Sequence, residues 1–189
     1  MIPKGKQGNK LKITVLAGGI SHERDISLKS GRRVADALTD FGAEVVIREP
    51  DNDLLSNIKK DKPDVIFPCL HGASGEDGAL RDVLALSGVP FVGATASGSR
   101  LAWDKSIAKV LVSRDGIQTP ASITLPKDTF RELDAEGVLK AVTSSIALPV
   151  VVKPARSGSA QGVSIVKTQN ELNRAMIDAY VYCDVAIIE

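Results

Sequence analysis

Between Leu148 and Val166 the chain reads Leu-Pro-Val-Val-Val-Lys-Pro-Ala-Arg-Ser-Gly-Ser-Ala-Gln-Gly-Val-Ser-Ile-Val. An apolar run ends in Lys153, a loop of small residues follows from Ala155 to Gly162, and a second apolar run closes the segment. Apolar, β-branched runs on either side of a glycine-bearing turn predict two paired strands. A loop with few bulky side chains lets backbone N–H groups approach a phosphate closely. Lys153 would stand at the end of a rigid strand as a fixed positive charge. The segment points to a nucleoside triphosphate, although it lacks the Gly-Lys-Ser/Thr that opens a helix in a Walker loop.

The first half of the chain alternates short apolar runs with helical patterns. Strands are predicted over 12–17, 43–47, 64–70 and 89–93, with helices over 26–41, 54–59 and 78–86. Such alternation implies βαβ units and an open parallel α/β sheet. Ligands of these sheets bind at the carboxyl ends of the strands. From about residue 97 the pattern becomes α+β. It has a helix over 99–113, a strand over 122–125, a helix over 133–145, the hairpin, a helix over 171–182 and a strand over 185–188. The domain boundary is placed near residue 95, and Met1–Lys10 is read as a disordered leader without the apolar core of a signal peptide.

Two further segments carry chemistry. Gly18-Gly-Ile-Ser-His-Glu-Arg-Asp-Ile-Ser27 follows the first strand and enters a helix. It is not the GxGxxG of dinucleotide folds. Glu23 and Asp25 either favour the positive N-terminus of that helix or, for Glu23, point into a cleft toward a substrate ammonium group. Leu70-His-Gly-Ala-Ser-Gly-Glu-Asp-Gly78 follows the third strand. There Asp77 suits a helix cap, and His71 and Glu76 are candidates for supporting a pocket. Lys105 reads as a surface lysine unless a polyphosphate lies nearby, where a second positive charge becomes useful.

Composition narrows the function classes. The net charge of +1 gives no electrostatic reason to bind nucleic acid or a membrane surface. Four Phe, two Tyr and one Trp leave little for stacking bases. Cys69 and Cys183 lie far apart with no CxxC spacing, so neither a disulfide framework nor a cysteine metal site follows, and a cytoplasmic location is expected.

Five segments in order, from Leu16-Ala-Gly-Gly with Ser21–Ser27, through Leu70-His-Gly with Gly75-Glu-Asp-Gly78, Asp104-Lys105 and Val152-Lys-Pro with Arg156–Ser159 and Gly162, to Ile187-Ile-Glu189, resemble the D-alanine–D-alanine ligases of the ATP-grasp superfamily. The resemblance covers nearly the whole chain from Leu11. It implies an N-terminal open parallel α/β (pre-ATP-grasp) domain over 11–95 and an α+β ATP-grasp subdomain over 96–189. It assigns Glu23 to the ammonium of the first D-alanine, with His71 beside that substrate and Glu76 supporting the pocket. Lys105 and Lys153 resemble the two lysines on the ATP phosphates, Ser159 the loop serine that reaches toward Glu23, and Glu189 the glutamate that reads the adenine amino group. Glu23 and Ser159 are thereby the expected catalytic residues, with D-alanine and ATP as partners and no metal ligand in this chain.

Members of the family continue for about another domain. The resemblance therefore implies that a C-terminal lobe carrying the Mg2+ ligands lies outside these residues and that the chain alone is inactive; it also implies a homodimer. Ala160 stands where the family has a second serine, and Arg81 where glutamine is common. Two alternatives accompany this reading. One is a non-catalytic nucleotide-binding module; the other is a ligase whose acceptor is D-lactate or D-serine.

Overall fold

The computed structural model describes residues 9–189. Most of the leader expected over 1–10 lies outside them. The chain divides into two compact units, Met1–Arg100 and Leu101–Glu189.

In the first unit, β1 (Lys12–Leu16) is the central strand of a three-stranded parallel sheet, flanked by β2 (Glu44–Arg48) and β3 (Val65–Pro68). Thr14 pairs with Val46 on one side and Ile66 on the other. A central parallel strand is covered on both faces, and Ile13, Thr14, Val15 and Leu16 are all buried. One face packs on α1 (Arg24–Asp40), where Val15, Ala17 and Ala35 join Leu28, Val34 and Leu38. The other face joins Leu16 and Ile66 to Leu54 and Ile58 of α2 (Leu54–Asp61) and, past the short α3 (Ala73–Glu76), to Leu84 of α4 (Ala79–Leu86).

Gly31 lets α1 lie against β1. A Cβ at Gly31 would fall 2.4 Å from the Ala17 Cβ.

The fourth strand expected over 89–93 is reduced to one parallel bridge between Ile66 and Phe91. Pro90 has no N–H to extend the ladder, and Gly93 turns the chain away with φ +111°. The helix expected over 99–113 is two helices, α5 (Ala96–Trp103) and α6 (Lys105–Arg114). Asp104 interrupts them in extended backbone (φ −90°, ψ 106°), and its carboxylate caps α6 by accepting from the N–H groups of Ser106 and Ile107.

The second unit is a four-stranded sheet in the order β4 (Ile123–Pro126), β7 (Val185–Ile188), β5 (Val150–Pro154), β6 (Ser164–Val166), with every pair antiparallel. The hairpin expected around Lys153 is β5–β6. Helices α7 (Lys127–Glu132), α8 (Ala135–Ser145) and α9 (Gln169–Tyr180) contribute to its core. Leu172, Ala175, Met176 and Ala179 recur at the three- and four-residue spacing of one helix face, and all are buried. A capping box between Thr168 and Glu171 starts α9.

Strand β5 alternates in burial. Val150 and Val152 enter the core with α8 and α9. The two-residue period therefore turns Val151 and Lys153 to the opposite sheet face.

Candidate functional site

In the first unit, the carboxyl ends of β1 and β3 carry the predicted substrate residues. Ser27 of α1 ties these ends together. Its hydroxyl accepts from Gly18 N–H at 2.8 Å and donates to the Cys69 carbonyl at 2.8 Å, fully buried. Ser21 donates to the His71 carbonyl at 2.9 Å. Outside this knot, Arg24 forms a two-pronged pair with Glu49 and donates to the Gly19 carbonyl at 3.1 Å.

Glu23 sits at the N-cap of α1 but makes no side-chain cap. It is only 3% exposed, and its Oε1 is buried without a hydrogen-bond partner. An unpaired buried carboxylate oxygen is costly, and a cation brought to it would offset that cost. Its Oε2 lies over Gly72, where a Cβ would come within 2.7 Å and where φ is +75°. Only glycine meets both demands.

His71 is half-buried. Its Nε2 lies 3.1 Å from the Ser30 hydroxyl, and its Nδ1 lies 3.9 Å from a Glu76 carboxylate oxygen. Ser30, which residue patterns did not single out, and Ser27, which ends the Gly18–Ser27 motif but was given no role there, are further members of this site. For Ser30 the signal is its three-residue spacing from Ser27 along α1. Asp77 accepts from Ala79 N–H at 2.8 Å, although Gly78, with φ +87°, is the flanking residue of α4. Arg81 donates to the Ala94 carbonyl at 3.2 Å and stacks over Phe91 at 5.8 Å. Arg81 thereby fastens the 91–94 turn.

In the second unit, α6 and the hairpin loop are clamped together. Lys105 N–H donates to the Ala155 carbonyl at 3.0 Å, and the Lys105 ammonium donates to the Ser157 carbonyl at 2.8 Å. Arg156 Nε donates to Asp104 Oδ2 at 2.8 Å. Burial works to raise the Asp104 carboxyl, but hydrogen bonds from Ser106 and Arg156 hold it below the ordinary aspartate value.

Ser159 and Ala160 are exposed at the loop tip, both left-handed (φ +48° and +57°). Non-glycine residues enter that region at a cost of about 1–2 kcal/mol, so the loop holds a defined, strained shape.

Lys153 and Glu189 meet on the sheet face away from α8 and α9. Glu189 Oε1 accepts from the Lys153 ammonium, and Oε2 accepts from that of Lys109. All three side chains are about four-fifths buried. Burial pushes the Glu189 carboxyl up, yet the two lysines more than offset this and hold it below the ordinary glutamate value. Sequence patterns passed over Lys109. Its signal is its place one turn after Lys105 on α6.

Two models of one enzyme family match the chain. The D-ala D-ala ligase N-terminus model covers residues 46–94, and the D-ala D-ala ligase C-terminus model covers residues 111–189. The chain belongs to the D-alanine–D-alanine ligase family. The matched stretches include His71, Glu76, Lys153, Ser159 and Glu189, while Glu23 and Lys105 fall outside both.

Among relatives, the D-alanine–D-alanine ligase of Moorella thermoacetica is 36% identical over 172 residues, which is 91% of this chain and 55% of the relative. The chain thus spans about 55% of the length of that ligase. A crystal structure of the Bacillus anthracis D-alanine–D-alanine ligase complexed with ATP superposes with a TM-score of 0.74 at 29% identity, covering 95% of this chain and 58% of that one. The VanG D-Ala:D-Ser ligase of Enterococcus faecalis gives a TM-score of 0.74 at 27% identity, over 96% of this chain and 62% of that one. The fold is that of ATP-grasp ligases, with a parallel sheet in one unit and an antiparallel sheet in the other.

Among the described residues, no group of three His, Cys, Asp or Glu side chains is arranged to hold a metal ion. No described helix is long and apolar enough to cross a membrane.

Proposed function

We propose that this chain supplies the D-alanine-binding and nucleotide-phosphate-binding parts of an enzyme that joins two D-alanines at the expense of ATP, for peptidoglycan precursor synthesis in the cytoplasm. The observation that carries the reading is the buried Glu23 carboxylate with its unpaired Oε1. A ligand that brings an ammonium group satisfies it. In this reading the amino group of the first D-alanine is that ligand, as family membership supports, with His71 beside it and Glu76 supporting His71.

In the reaction, the carboxylate of the first D-alanine attacks the γ-phosphorus of ATP, and ADP leaves. The amine of the second D-alanine attacks the acylphosphate carbonyl and gives up a proton. The tetrahedral intermediate then expels inorganic phosphate, leaving the new peptide bond. No protein nucleophile enters the sequence. The chain's residues act by positioning and by charge.

Lys105 and Lys153 neutralise transferring phosphate, and Glu189 accepts from the adenine amino group. The loop bearing Ser159 shields the acylphosphate from water. Its backbone N–H groups contribute at Ala160, where the family's serine hydroxyl is missing. The reading extends to a homodimer.

The test is phosphate release by the complete natural protein with ATP, Mg2+ and D-alanine, paired with product analysis. D-alanine-dependent release with formation of D-alanyl-D-alanine is expected. Nucleotide binding with no D-alanine-dependent release would leave a binding module instead. D-serine and D-lactate belong in the assay as competing acceptors, because one similar structure is a D-Ala:D-Ser ligase.

A further inference from the structure

Glu189 has two cationic partners, and only one of them is needed for phosphate. Lys153 and Lys109 reach the carboxylate from different elements, β5 and α6, one on each oxygen. Lys105 and Lys109 are one helical turn apart on α6, so they share a face. The first reaches the hairpin loop at the Ser157 carbonyl, and the second reaches Glu189.

A glutamate that reads an adenine amino group must present a free, ionised oxygen to it. While Lys153 holds Oε1, an acceptor site on that oxygen is occupied by the ammonium. While Glu189 holds Lys153, that ammonium is withheld from phosphate. The two ligand contacts therefore become available together, when Lys153 exchanges the carboxylate for phosphate. The exchange leaves Glu189 buried. Without another cation it would be an uncompensated charge, which proteins avoid by protonation. A protonated Glu189 carries one acceptor oxygen fewer.

We propose that Lys109 is a positioning residue for base recognition, the standing counter-charge that keeps Glu189 ionised and oriented when Lys153 transfers to the nucleotide phosphates. Lys109 touches no ligand in this scheme. It acts through Glu189, and the inference rests on the reading that Glu189 faces the adenine amino group. Arginine at this position preserves the charge and reach, and a neutral side chain does not.

The experiment compares ATP with inosine triphosphate, which carries an oxo group where adenine carries the amino group, as substrates of the complete protein. The readout is the ratio of the two kcat/KM values. The wild type is expected to prefer ATP. Lys109→Met is expected to lower that preference about tenfold, the size of one hydrogen bond to a charged group. Lys109→Arg restores it. Glu189→Gln lowers it as well, and adding Lys109→Met to Glu189→Gln lowers it no further. Lys109→Gln gives the same comparison where Lys109→Met does not fold.

A neutral Lys109 variant that keeps the wild-type preference, in a protein whose Glu189→Gln variant loses it, overturns the role of Lys109 and leaves the adenine reading intact. A Glu189→Gln variant that keeps the preference overturns the adenine reading and, with it, this inference. A purely structural ion pair would lower thermal stability in the Lys109 variants without moving the ratio, and that result also overturns the proposal.

Discussion

Lys153 and Glu189 are diagonal neighbours on two antiparallel strands. Lys153 pairs with Ile187, and Val151 exchanges two backbone hydrogen bonds with Glu189, at 2.7 and 2.9 Å. The diagonal is within reach of long side chains on one sheet face. The lysine and the carboxylate therefore meet as a consequence of register.

This pairing sets a pH dependence. Glu189 and Asp104 both titrate below their ordinary values of 4.5 and 3.8 in the folded chain. A carboxyl held low in the folded state adds stability above its unfolded value, and that stability is lost as the pH falls through the folded value. The thermal midpoint is expected to hold near neutrality and to drop below about pH 4.5. Glu189→Gln should lower the midpoint at pH 7, and its deficit should shrink toward pH 3. A deficit that stays constant across that range would contradict the assignment.

Glu23→Ala should trade function for stability. The carboxylate makes no cap, and its Oε1 has no partner. Removing it is expected to raise the unfolding free energy by about 1 kcal/mol, while Glu23→Gln and Glu23→Ala both abolish dipeptide formation in the complete protein. Urea unfolding and the phosphate-release assay read the two effects separately. Full turnover in either variant would end the substrate-anchor role.

Gly31→Ala tests the contact between α1 and β1. With the new methyl 2.4 Å from the Ala17 Cβ, the helix must shift. A loss of about 1–3 kcal/mol is expected from overpacking, against a small gain from helix propensity alone. Ala17→Gly in the Gly31→Ala background should recover part of it, as a double-mutant cycle in denaturant would show.

Asp104 joins two roles, capping α6 and pairing with Arg156. Asp104→Ala is expected to cost about 1–2 kcal/mol through the lost cap. Arg156→Ala should cost less than half of that, since its guanidinium is half exposed and such pairs contribute little. Equal losses in chemical denaturation would show that the ion pair, and not the cap, dominates.

The strands and the major helices were legible because burial imposes periods that residue types record. The runs at 12–17 and 185–188 are apolar enough to be read as strands at once, and the hairpin shows its loop in Gly158 and Gly162. The break at Asp104 was less legible. Aspartate before a helical run is a cap signal, but the flanking segments read as one helix. What fixes the break includes Arg156, 52 residues away. The fourth strand failed for a local reason, Pro90, whose missing donor outweighed the apolar character of Val89, Phe91 and Val92.

The site divides in the same way. Glu23, His71, Glu76, Lys105, Lys153, Ser159 and Glu189 stood out through the motifs that contain them. Ser30 and Lys109 did not, because a serine or lysine on a helix is ordinary until its partner is known, and Ser27, though inside a motif, had no role until its partners were seen. By itself the sequence determined most of the strand and helix segments and the ligase family, since local period, capping chemistry and motif order are written along the chain. Tertiary structure alone decided that Glu23 is buried with an unpaired oxygen and that Glu189 is shared by two lysines. Those facts depend on which backbones lie side by side, and contacts over 36 and 80 residues are set by sheet register and helix packing, not by spacing along the chain.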